Sequence, residues 1–190
     1  MVQKLTNIAS ITTGVYQKLS PSGDTLYLQG KHFDEDGNLR EDAILSQELF
    51  LDDKLERHLL EDGDVLLMAK GENNRACMYT HDIGQAVASS TFFVVRIKDR
   101  QILPAFLQWF LNTPKIQKRL SELARGTHIR SLSKKALVDL EISIPTMEAQ
   151  EKILVINELW QREKGLTLEL INHKEILYQA FLVNLANSAL

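Results

Sequence analysis

Apolar and polar positions follow three different rhythms along this chain. The first is extended. Leu26-Tyr27-Leu28 reads as a short strand and Asp36-Gly37-Asn38 as a turn. Asp62-Gly63-Asp64 is a second turn, leading into the apolar run Val65-Leu66-Leu67-Met68-Ala69, which has the length of a buried strand. After the polar loop 70–75, Ser89-Ser90-Thr91 opens another strong strand, Phe92 to Ile97. Leu140 to Ile144 alternates like a half-buried strand, and Pro145 ends it.

The second rhythm is helical and short. Pro104 suits a first helical position, where its missing N–H is not needed. Phe106 and Phe110, with Leu107 and Leu111, recur at i, i+4 and form an apolar face. Thr113-Pro114 repeats the start signal, a cap residue followed by proline, and Ile116, Leu120 and Leu123 line the helix it predicts. The loop 125–130 breaks that helix, and Ser133 is placed to cap a short one over 134–138.

The third rhythm is one long helix. From Thr146 to about Leu185 there is no proline and a single glycine, Gly165. About 40 helical residues would extend roughly 60 Å, far longer than a small domain needs. Ile156, Leu159, Glu163, Leu166, Leu170, His173 and Leu177 alternate steps of three and four. That is a coiled-coil seam with Glu163 and His173 as polar, register-setting interruptions. Trp160, Ile171, Tyr178, Phe181 and Leu182 widen the stripe. The predicted class is α+β: a mixed α/β domain followed by one long C-terminal helix of coiled-coil type.

Charge sharpens this picture. The net charge of −3 argues by itself against a nucleic-acid partner, but residues 96–135 hold 10 Lys/Arg against 2 Asp/Glu. A block of this kind is an electrostatic footprint for polyanions, although solvated helix faces would look the same. With 44% apolar and 25% charged residues the chain can build a core. Cys77 is the one cysteine, which excludes an internal disulfide and suits a cytoplasmic setting. We expect no signal peptide and no membrane span, since no uncharged apolar stretch approaches roughly 18 residues.

No catalytic constellation can be assembled. The histidines His32, His58, His81, His128 and His173 lack metal-ligand spacing, and no glycines are spaced as G-x-G. No G-x-S-x-G elbow is present, nor the Asn/Asp-Pro-Pro-aromatic run that amino-methyltransferases use. Asp34, Asp36, Asp62 and Asp64 sit in turns, where carboxylates usually accept backbone hydrogen bonds. We therefore expect no enzyme activity, no cofactor and no metal of the chain's own.

Several segments, in order, resemble the specificity subunits of type I restriction–modification systems. Leu60-Glu61-Asp62-Gly63-Asp64-Val65-Leu66 is similar to the family's L-x-x-G-D-h-L strand, h being apolar, and Ala88 to Arg96 to its central strand. Pro104 to Pro114 is similar to its P-x-(Y/F)-L-x-x-x-L-x-(S/T)-P helix pair. Gly126 to Ser133 resembles its G-(S/T)-x-I-x-x-L-S loop. Ile144-Pro145, followed by Glu148, Gln150 and Ile153, is similar to the h-P-x-x-x-E-Q-x-x-I entry into a spacer helix. Full-length subunits carry two recognition domains and two spacer helices. This chain, with one of each, resembles the half-length forms that work as homodimers, or a truncated fragment.

The resemblance implies a DNA target-recognition domain over 1–145 and a spacer or dimerisation helix over 146–190. Its partners would be double-stranded DNA, a type I methyltransferase subunit carrying S-adenosylmethionine, possible nuclease subunits and a second copy of the chain. Arg125, Arg130, Lys134 and Lys135 are the phosphate candidates, around a loop in which Gly126 permits close approach, with Thr127 and His128 beside it. A plain helix C-cap is the other reading of Gly126. Lys70, Asn73, Asn74 and Arg75 are candidates for base contacts, with Gln29 and Lys31 behind them, or else 70–75 is an ordinary surface loop. Ile156, Leu159, Leu166, Leu170 and Leu177 are the partner-helix candidates. The rival class is a non-catalytic dimeric scaffold of the same fold whose basic block meets an acidic protein.

Overall fold

The computed structural model describes residues 1–20, 22–71, 73–124 and 130–188. The chain divides into two compact units, Met1–Gln150 and Glu151–Leu190. In chain order the elements are β1 (Val2–Lys4), α1 (Leu5–Ile8), β2 (Ala9–Thr13), β3 (Thr25–Leu28), β4 (Gln47–Leu49), α2 (Asp53–Glu56), β5 (Val65–Met68), β6 (Ala76–Met78), β7 (Ala86–Ala88), β8 (Phe92–Ile97), α3 (Pro104–Asn112), α4 (Pro114–Leu123), α5 (Lys134–Val138), β9 (Glu141–Ser143) and α6 (Met147–Ser188). This is the predicted class, a mixed α/β unit followed by one long helix.

The two strongest apolar runs lie at the middle of a four-stranded antiparallel sheet, ordered β2-β8-β5-β6. Leu66 faces Val94 on one side and Cys77 on the other. A second sheet, β4-β3-β7, places the fully buried β3 between an antiparallel and a parallel neighbour. The main core lies where the two sheets' side chains meet: Leu26, Leu28 and Ala88 pack with Leu66, Phe92 and Val94, and Phe33 meets Phe92 edge-on at 5.9 Å. β1 and β9 form a separate pair.

The motif residues turn out to be fastenings. Gly63 takes φ +82°, a conformation that favours glycine, and so delivers Asp64 to the start of β5. The Asp64 carboxylate is 1% exposed and accepts the Glu61 N–H at 2.8 Å. Arg96, at the far end of β8, donates to both its oxygens at 2.8 and 2.7 Å, reaches Glu61, and touches the Leu59 carbonyl at 3.1 Å. This bidentate latch holds the Arg96 guanidinium even above its ordinary range, chiefly through the bond to Asp64. Asp34 and Asp62 likewise accept backbone N–H groups, from Asp36 and Asn38 and from His81.

Gln150 is fully buried and makes three hydrogen bonds. Its Oε1 accepts the Leu103 N–H at 2.9 Å, and its Nε2 donates to the carbonyls of Gln101 and Pro145. It thereby ties the first turn of α6 to the segment that launches α3. The Thr146 hydroxyl accepts from the Ala149 N–H and Ser133 caps α5, both at the positions expected. Thr113 differs: its hydroxyl donates back to the Phe110 carbonyl at 2.7 Å and does not cap α4. The rigid φ of Pro114 is enough to start that helix.

Candidate nucleic-acid interface

The loop between β5 and β6 and the segment after residue 129 are 60 residues apart in sequence and adjacent in space. Leu132 donates its N–H to the Ala69 carbonyl at 2.7 Å, Gly71 donates to the Arg130 carbonyl at 3.2 Å, and Lys70 forms an antiparallel bridge with Ser131. On its other side, Ala69 donates to Thr91 at 2.7 Å. Residues 130–132 therefore add a short rung beyond the end of β5. Lys70 and Arg130, which belong to two separate loops in the sequence, stand on neighbouring backbone, both exposed. Arg130 Nη1 donates to Ser121 Oγ at 2.8 Å, which orients it from α4.

The 70–75 loop is braced from inside. Asn74 is 5% exposed, and its amide donates to the Met68 carbonyl at 2.8 Å. Gln117 on α4 donates to the Asn74 carbonyl at 2.7 Å, and Asn112 on α3 pairs with both backbone groups of Ala76 at 2.8 Å. Asn74 thus works as a strut, facing inward from a loop in which Lys70 and Asn73 are exposed among the described residues. Arg75 is half-buried, and its Nε is enclosed without a hydrogen-bond partner among the described residues. Lys134 and Lys135 are exposed on α5. Arg125, Gly126, Thr127 and His128 lie outside the described residues.

A cleft of about 700 Å³ opens beside this rung. Lys18, Lys31 and Lys70 line it together with Tyr16, Gln29 and Ser90, and none of the described lining residues is acidic. Lys31 sits in a 3-10 turn, Gly30–His32, closed by a reciprocal pair of bonds: the Gln29 backbone carbonyl accepts the His32 N–H at 3.0 Å, and His32 Nδ1 accepts the Gln29 N–H at 3.2 Å. Burial pushes the His32 imidazole below its ordinary range, as an acceptor nitrogen requires, with the positive Lys31 adding in the same direction. Tyr27 is tied by its hydroxyl to the Val15 carbonyl at 2.7 Å, whereas Tyr16 is 86% exposed. Tyr16 and Lys18 were not among the sequence candidates. Their signal, an aromatic and a cation in an aperiodic stretch after a strand, is a weak one.

The remaining chemistry is sparse. Burial pushes the Cys77 thiol up to about 12, so it is inert as a nucleophile. Among the described residues no group of three or more His, Cys, Asp or Glu is placed to hold a metal ion, and no described helix is long and apolar enough to cross a membrane.

The described residues thus form a mixed α/β unit with a lysine-lined cleft beside a braced loop, followed by a long helix. The sequence matches the model of the type I restriction modification DNA specificity domain over residues 7–176, and the chain belongs to that family. No curated protein sequence matches it. Among solved structures, a chain from work on complex assembly and conformational transition of the type I R-M system superposes with a TM-score of 0.63 at 16% identity, covering 86% of this chain and 38% of that one. The type I S subunit from M. genitalium gives 0.60 at 15%, covering 92% and 42%, and the HsdS subunit from Thermoanaerobacter tengcongensis gives 0.60 at 15%, covering 86% and 37%. The chain spans about two fifths of the length of these relatives.

Proposed function

We propose that this chain is the sequence-reading part of a type I restriction–modification complex: it binds a short duplex half-site and holds a partner methyltransferase, and with it any nuclease subunit, at that site. The observation that carries this reading is the meeting of the Lys70 loop with the Arg130–Ser133 segment beside a cleft free of described acidic residues. Phosphate contacts give affinity and position, and base-edge contacts give sequence. Arg130, Lys134, Lys135 and the sequence-predicted Arg125 take the phosphate role. Asn74 serves by bracing the loop.

The long helix supplies the second half of the proposal. Leu159, Leu166, Leu170 and Leu177 are each more than half exposed. Every large apolar side chain left in water forgoes about 1.5–3 kcal/mol, which favours a partner helix. A second copy, antiparallel, would supply it and rebuild the two-domain arrangement of a full-length subunit.

The test is the salt dependence of duplex binding by the complex assembled with its methyltransferase. Neutralising Arg125, Arg130, Lys134 and Lys135 together should weaken binding about equally for all sequences. Each lost phosphate contact should flatten the log–log salt slope by about 0.9. Unchanged affinity and slope would mean that these side chains are a solvated face.

A further inference from the structure

We propose that the cleft bearing Lys31 and Lys70 is a base-reading subsite for guanine, so that the half-site contains at least one G·C pair contacted from the major groove. The inference rests on the DNA-recognition reading above and concerns which residues read and what they read.

Its first support is chemical one-sidedness. The described walls offer three ammonium groups, from Lys18, Lys31 and Lys70, and no carboxylate. Such a surface seeks acceptors. In the major groove guanine presents two adjacent acceptors, N7 and O6; adenine sets a donor beside its one acceptor, and cytosine presents a donor. Reading adenine calls for a group that both donates and accepts, whereas an ammonium only donates.

The second support is fixed placement. A lysine is a flexible donor, and it discriminates between bases only if its root is held. Lys31 stands on a turn closed at both ends by the Gln29–His32 pair. A Cβ on Gly30 would come within 2.9 Å of Met68 Cε, so the turn lies close against β5. Lys70 is bridged to Ser131 in one direction and leads on to Gly71, which is bonded to Arg130. The cleft is thus beside the residues assigned to phosphate, at the place where base edges would be presented. The exposed Tyr16 ring at the cleft wall offers an apolar face that tolerates any base.

The experiment begins with methylome sequencing of cells that express this chain with its methyltransferase partner. The recovered motif is then built into duplexes in which guanine is replaced, one position at a time, by 7-deazaguanine, which lacks the N7 acceptor. Wild-type complex should lose roughly 5- to 150-fold in affinity at one such position. Lys31→Ala with Lys70→Ala should bind the parent and the 7-deaza duplex equally, and should accept other bases there. Lys31→Gln is the second variant, and a native unfolding transition for each variant separates misfolding from lost readout. A half-site without guanine, indifference of the wild type to 7-deazaguanine, or a uniform loss of affinity by the lysine variants with the motif intact would each overturn the proposal. The last result would make these lysines phosphate contacts and would leave the DNA-recognition reading standing. A wild-type complex that methylates no motif and binds no duplex would instead remove that reading itself.

Discussion

At Asp64 a single carboxylate joins a turn, a strand start and the end of a neighbouring strand. It is buried, whereas Arg96 is about a third exposed, so the two partners do not share the consequences of losing each other equally. Asp64→Ala removes the bidentate partner of Arg96, leaving it Glu61 and the Leu59 carbonyl, and leaves the Glu61 N–H without its acceptor. We expect a loss near the lower end of the range for broken buried pairs, about 3 kcal/mol, read as a fall in the urea midpoint. Asp64→Asn keeps the size and the acceptor and should lose less. His32 predicts an acid limb. Its folded pKa is depressed by burial, with Lys31 adding to this and Glu48 opposing it. The unfolded chain takes up a proton near pH 6.5 that the folded chain refuses, so this contribution is full above that pH and declines below it. The exposed His81 is shifted upward, first by its bond to Asp62 and then by the charges of Asp82 and Asp62. Its contribution therefore has the opposite sign, present at acid pH and lost as pH rises. Measured in enough salt to screen that pair, the urea midpoint should drop between pH 7.5 and 5.5, and His32→Asn should flatten the drop.

Among the elements, α6 makes the sharpest claim. Its main apolar stripe covers roughly half the circumference at 100° per residue, the Leu159–Leu177 seam on one side, then Trp160, Ile171, Tyr178 and Leu182 beside it, and Leu168, Ile176 and Val183 lie outside that stripe. A two-helix seam is narrower. The helix therefore has room for more than one neighbour. Aspartate at Leu159, Leu166, Leu170 and Leu177 should give a monomer or insoluble protein, whereas the wild-type chain should scatter light as a dimer at tens of micromolar. A wild-type monomer under those conditions would sink the homodimer. β5, β8, α3, α4 and α6 were legible because each carries its own period or a long apolar run. β1, β4, β6 and β7 were not. Each has three residues and exists because a remote strand completes it, as β9 completes β1 across about 140 positions. The candidate site was legible to the same degree. Lys70 and Arg130 could be named as cations on loops, but their adjacency depends on the rung between residues 69–71 and 130–132. Asn74 was nameable as an amide on a polar loop, while its inward direction depends on Gln117 and Met68.

The whole molecule is acidic with local basic ground. Arg96 lies within the basic block yet is occupied by Asp64, so the block is thinner at the surface than the composition implies. Duplex binding by the free subunit should accordingly be weak and tighten on assembly. If two copies pair through α6, two-fold symmetry passes to the DNA: the same half-site, inverted, with a spacer fixed by the paired helices. Methylome sequencing should return an interrupted palindrome. Two unlike halves would mean that a different subunit stands opposite.

The turn that carries Lys31 separates two tasks that many binding sites combine. What fixes its backbone is Gln29, His32 and the space around Gly30; what would meet a ligand is the lysine's far end. Lys70 has the same arrangement, held by backbone bonds and not by its own side chain. Substitution at such positions leaves the fastenings untouched, so a new reading head can arise without passing through an unstable ancestor. Pressure from a changing set of targets would then rewrite exposed letters quickly while the fold stays put. The chain superposes on these solved structures at a TM-score of about 0.6 while sharing 15–16% of their residues, so the fold tolerates wide substitution.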